Sequence, residues 1–174
     1  MFTKIHLFKK RDYVYVAVAA SIIAGGIAIA NTQTAKAPLQ NSMVAYVVMT
    51  DPQGKEVLEP ATEVEPGQTV EYALTYENVG SNALKDIIVT GPIPKVTSYL
   101  AKSAHTEAKA KLQVSIDGGK TFEGEPVKRM VKDASGKKVE KVIPPSQYTH
   151  VRWLMQEPLN AGDVKNFAYR SVVK

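Results

Sequence analysis

Between Thr69 and Asn78 the chain alternates apolar and polar residues with a period of two. Val70, Tyr72, Leu74 and Tyr76 fall on one side, and Glu71, Ala73, Thr75 and Glu77 on the other. Only an extended strand sends successive side chains to opposite faces, so this run predicts a β-strand with one face in a core and one in water. It opens at Glu65-Pro66-Gly67-Gln68, where proline presets φ and glycine accepts positive φ for a turn. From Met43 onward no window carries a helical stripe; short β-type runs are broken by Gly, Pro, Asn and Asp. An all-β domain follows.

The other runs fit that reading. Val44–Met49 is apolar on both faces and stops at Asp51-Pro52-Gln53-Gly54. Leu84–Thr90 is rich in Ile and Val and is closed by Pro92 and Pro94, which cannot donate to a sheet ladder. Leu112, Val114 and Ile116 alternate into a hairpin turn at Asp117-Gly118-Gly119, returning through Thr121 and Phe122. Tyr148–Met155 and Asn166–Val173 close the series, and residues 123–147 read as a long, basic, exposed hairpin or loop. About seven to nine strands result, enough for a sandwich of two antiparallel sheets.

The first thirty residues have a different character. Lys4, Lys9, Lys10 and Arg11 precede an uncharged apolar run from Val14 to Ala30, and a polar segment opens at Asn31. This is the layout of a secretory signal peptide, with a signal helix and with Ala28 and Ala30 as the small residues before the cut. An uncleaved anchor is the other reading of the same run. The expected organisation is therefore residues 1–30 as signal, 31–42 as linker and 43–174 as one domain. Much of the formal net charge of +5 lies in the leader, so the remainder is close to neutral and lacks the concentrated basic surface that nucleic acid requires. The chain contains no cysteine, which leaves no thiol nucleophile, thiolate metal site or disulfide.

Two segments together resemble a known family. Residues 65–104, EPGQTVEYALTYENVGSNALKDIIVTGPIPKVTSYLAKSA, and residues 148–163, YTHVRWLMQEPLNAGD, are similar to the bacterial and archaeal repeat called domain of unknown function family eleven. The shared features are the proline-glycine turn, the Thr- and Tyr-rich strand, the Asn-Xaa-Gly turn, the Val/Ile strand ending in proline, and the closing Val-Arg-Trp strand. The resemblance implies an immunoglobulin-like sandwich on the cell surface or in the envelope, often in tandem arrays. One copy is present here, so anything long would have to arise by polymerisation. A second resemblance, of residues 115–122 to the Asp-box, implies a hairpin device rather than a sialidase site.

Catalytic patterns are poorly represented. There is no Gly-Xaa-Ser-Xaa-Gly, phosphate loop or calcium loop, and Ser135-Gly136-Lys137-Lys138 matches Ser-Xaa-Xaa-Lys by letter only, within a charged loop. His105 and His150 lack metal-ligand spacing and read as surface or edge-strand residues. No cofactor, metal or catalytic residue is expected. The glutamates at 56, 59, 63, 65, 71 and 77 read as a solvated acidic surface, set against the basic residues of 128–141. Opposite charges of this kind can steer a head-to-tail contact. The candidate assembly residues are thus Val44, Tyr46 and Val48 of the first run and Lys128, Arg129, Lys137 and Lys138 of the basic segment. The segment from Pro38 to Thr50 is read as the domain's own first strand, with completion of a neighbour's sheet as the other use. The expected function is non-catalytic: an exported structural or protein-interaction module in the periplasm, at the cell surface or outside the cell, partnered by protein, with a second copy of the chain as one candidate. The alternative is a carbohydrate- or ligand-binding sandwich, whose sign would be exposed tyrosines among Tyr46, Tyr99, Tyr148 and Tyr169.

Overall fold

The computed structural model describes residues 37–174; the expected signal and most of the expected linker lie outside the described residues. The protein is all-β. The larger sheet runs in the order β2 (Glu56–Pro60), β1 (Leu39–Thr50), β3 (Thr69–Asn78), β11 (Val164–Val173) and β5 (Thr97–Tyr99), with β6 (His105–Thr106) also on β11. A smaller sheet holds β4 (Ile88–Pro92), β10 (His150–Met155) and β7 (Ala110–Ser115). The remaining pair, β8 (Lys128–Lys132) and β9 (Lys138–Val142), forms a separate two-stranded ribbon. All recorded pairings are antiparallel.

Two sequence expectations are corrected. The described residues form eleven strands rather than seven to nine, because β5 and β6 are too short to show a pattern and exist through pairing with β11, while β8 and β9 divide the basic segment. The linker is shorter than expected: β1 begins at Leu39, and Leu39–Ser42 pair with Asn78–Thr75, although Gln40-Asn41-Ser42 lacks apolar character. The same pairing makes Leu39–Thr50, all but the first residue of the segment from Pro38 to Thr50, a strand of its own domain. From Tyr46 to Val47 β1 has β2 on one edge and β3 on the other, which leaves no room there for strand exchange.

The alternation in β3 decides what the two sheets bury. Val70, Tyr72, Leu74 and Tyr76 point inward and meet Phe167 and Tyr169 of β11. Val89, Val114, Val151 and Trp153 face them from the smaller sheet, and all of these residues belong to one hydrophobic cluster. Trp153 lies 5.4 Å from Phe167 and 6.3 Å from Tyr169, ring centre to ring centre, so it bridges the layers. Tyr72 stacks on Tyr169 at 5.1 Å. The Tyr169 hydroxyl crosses the interface and donates to the carbonyl of Pro92. Gly91 leaves space for this: a Cβ there would lie 2.5 Å from Tyr169 Cε1. Burial holds the Tyr169 phenol protonated far above its ordinary range.

At the end of β7 the Asp117 carboxylate organises the tight turn that its spacing predicts. It accepts from the backbone N–H groups of Lys120 and Thr121 and from the hydroxyls of Ser115 and Thr121 at 2.6–3.0 Å. The Thr121 hydroxyl and backbone bonds, then the Ser115 bond, hold its carboxyl well below the usual range. A depressed folded-state pKa contributes stability above the unfolded carboxyl value of about 4 and loses it as pH falls. Asp117→Asn is accordingly expected to lower the melting temperature by a few degrees at pH 7. That gap should narrow steadily in melts at pH 5, 4 and 3; a gap independent of pH would contradict the assignment.

Candidate interaction surfaces

On the outer face of the larger sheet, Val44, Tyr46 and Val48 point away from the core, as do Leu58 and Pro60 of the neighbouring β2. Tyr46 stands opposite Pro60, and Val48 opposite Leu58, so these side chains form one apolar strip. Val44 is 43% and Leu58 44% exposed. Sequence reasoning singled out Val44, Tyr46 and Val48, and the fold places them on one face; it missed Leu58 and Pro60, whose membership depends on hairpin register.

Beyond Val47, β1 outruns β3, and the β1–β2 hairpin is tied back to β11. Arg170 Nε donates to Glu71 at 2.7 Å, while its two terminal nitrogens donate to both oxygens of Glu56 at 3.0 and 3.1 Å. Hydrogen bonding and charge from Arg170 lower the Glu56 carboxyl pKa. Glu71 was expected in a wet surface; instead it is only 6% exposed and is covered by this clamp. By contrast, Glu59 and Glu63 are exposed, with no cationic partner within ion-pair distance among the described residues.

The ribbon is built differently. In its register Lys128 faces Val142, Met130 faces Glu140 and Lys132 faces Lys138, so these six share a face. Met130 is 62% and Val142 52% exposed. The other face carries Arg129 and Lys141 beside the pair Val131 and Val139. Lys128 is paired with Glu140 within the ribbon, and Arg129 with Glu123 at its base. Lys132, Lys137, Lys138 and Lys141 have no carboxylate partner among the described residues. Asp133 closes the tip by accepting from the backbone of Ser135 and Lys137, with Gly136 at positive φ. Ser135 and Lys137 are thus parts of a turn.

The ribbon grows from a buried base. Val127 is fully buried, its N–H donates to the Tyr148 hydroxyl, and its carbonyl accepts from Ile143. Tyr148 packs on Tyr99 of β5 at 5.7 Å. The base therefore sits beside β5, at the opposite edge of the larger sheet from β2. Val44, Tyr46 and Val48 and the four basic residues Lys128, Arg129, Lys137 and Lys138 are not brought together within one chain; the fold separates them.

The tyrosines expected of a glycan-binding face are mostly elsewhere. Tyr99, Tyr148 and Tyr169 are buried, because each lies at an inward position or under the ribbon base, and only Tyr46 is partly open. A shallow groove of about 410 Å³ runs over the small side chains of Ala73 and Ala168, bordered by Glu71, His105 and Asn166. His105 Nδ1 faces the Ser103 carbonyl at 3.1 Å rather than a second titratable group. Of the surface or edge-strand positions expected for His150, the edge is corrected: it is half-buried in the central strand of the smaller sheet, beside Phe122, and burial lowers its pKa. Arg152 lies over the Phe122 ring at 3.8 Å and bonds Gln113, which holds that ring in place. Among the described residues no group of three His, Cys, Asp or Glu side chains is arranged to hold a metal ion, and no helix is long and apolar enough to cross a membrane. No family model, curated protein or solved structure matches the chain.

Proposed function

We propose that the protein is an exported, non-catalytic structural module of the cell envelope, immunoglobulin-like in its sandwich, that works through protein contacts and associates with itself. The observation that carries this reading is the β8–β9 ribbon. An isolated two-stranded ribbon is marginal in water, and this one holds Met130 and Val142 outward beside Lys132 and Lys138, which have no carboxylate partner among the described residues. Such a surface is explained by something that covers it. Export is supported by the basic, apolar and polar zones of residues 1–31, and the sandwich by the likeness of residues 65–104 and 148–163 to envelope repeats.

Sedimentation velocity on protein recovered from the exported fraction tests the reading, with mass spectrometry of its N-terminus. The expected result is a chain beginning at Asn31 whose mass exceeds the monomer at low salt and falls toward it as ionic strength rises. A monomer at every concentration and salt, or a chain retained inside the cell, would overturn it.

A further inference from the structure

We infer that the ribbon of one copy docks on the β1–β2 hairpin of the next, so that the chains join head to tail. The inference rests on self-association as proposed above and goes further by assigning the two surfaces. Three observations carry it. The ribbon offers exposed Met130 and Val142 with Lys132 and Lys138 beside them, which have no carboxylate partner among the described residues. The hairpin offers Val44 and Leu58 on its outer face, while Glu59, opposite Val47 on the other face of the edge strand β2, and Glu63 in the loop after it are exposed and have no cationic partner among the described residues. The two lie at opposite edges of the larger sheet, the hairpin at β2 and the ribbon base beside β5.

Charge chooses the occupant. A basic ribbon could meet any anionic surface, but this chain itself carries an apolar strip whose free edge, β2 and the loop after it, holds exposed carboxylates with no cationic partner among the described residues. Apolar centres then meet apolar centres, and lysines meet glutamates at the rim, where they set orientation and speed encounter more than they add affinity. The opposed locations matter as much. Patches on the same edge would close a two-fold dimer, whereas patches on opposite edges give a heterologous contact that continues from copy to copy until it closes on itself or extends as a filament. No rearrangement of the domain is needed, since both surfaces are already uncovered.

A charge exchange tests this on the full exported chain. One variant carries Lys132→Glu and Lys138→Glu; the second carries Glu59→Lys and Glu63→Lys. Each variant alone would place like charges at both ends of every contact, and its self-association should weaken at least about 100-fold. Mixed in equal amounts, the two become complementary at both contacts, and assemblies of wild-type mass should return. Unchanged far-UV circular dichroism guards against misfolding, because all four positions are exposed. If wild type assembles but either variant does so equally well, or if the mixture stays monomeric, the assigned surfaces are wrong while self-association stands. If wild type is monomeric throughout, both readings fall. Met130→Asp, which leaves the wild-type lysines and glutamates in place, should also weaken assembly; wild-type assembly by that variant would remove the apolar part of the contact.

Discussion

Trp153→Ala is expected to produce the largest loss of stability of any single substitution in this domain. Trp153 is 2% exposed and touches Phe167 and Tyr169 across the layers, so truncation removes apolar burial and leaves a cavity between two sheets whose strands cannot readily move together. Such truncations cost about 3–5 kcal/mol, a large part of the roughly 5–15 kcal/mol that holds a domain together. The melting temperature should fall by on the order of 10–15 °C. Since Trp153 is the only tryptophan, the melt has to be followed by far-UV circular dichroism rather than fluorescence. A shift of less than about 3 °C would mean that the sheets are not packed through this side chain.

Arg170→Ala should come second. The substitution removes three charged hydrogen bonds at once, but its main cost is the Glu71 carboxylate, which stays buried without a counter-charge. Stranding one partner of a buried pair costs about 3–5 kcal/mol. Two further variants separate this from lost packing. Arg170→Lys keeps the charge but cannot fork between Glu71 and Glu56, so it should recover only part of the stability. Glu71→Gln added to Arg170→Ala removes the stranded charge and should raise the melting temperature above that of Arg170→Ala alone. No recovery in the double variant would show that the clamp acts through contact area. The β1–β2 hairpin, released from β11, should also be cut faster by trypsin at Lys55.

The clamp also illustrates what local sequence can and cannot reveal. The period-two run of β3 was legible because the rule that creates it, alternation of side chains across a strand, operates within a few residues. The Asp117 turn was legible for the same reason. Glu71 obeys the alternation and does point to the outer face, yet it is buried by an arginine 99 residues further along the chain. Nothing near Glu71 signals this. Register has the same character: Leu58 joins Val48 only because the turn at Asp51–Gly54 fixes the hairpin pairing, where the Asp51 carboxylate accepts from Gln53 and Lys55. The basic ribbon was visible as a charged segment, but its division into a Met130 face and an Arg129 face depends on pairing. Tyr99 and Tyr148 lie outside the regular alternation, and the ribbon base that covers them is a tertiary feature.

The directions of the three central strands have a mechanical consequence. β1 and β11 both run antiparallel to β3, so Leu39 lies beside Asn78 at one end of β3 while Val172 lies beside Thr69 at the other. Tension applied between Leu39 and Val173 therefore pulls along the strands, and the backbone bonds of both ladders share it in shear. They cannot open one after another from an end as they would if pulled sideways. A link in a chain under strain would gain from this arrangement, because failure requires one of the two longest ladders of the domain to slide as a whole.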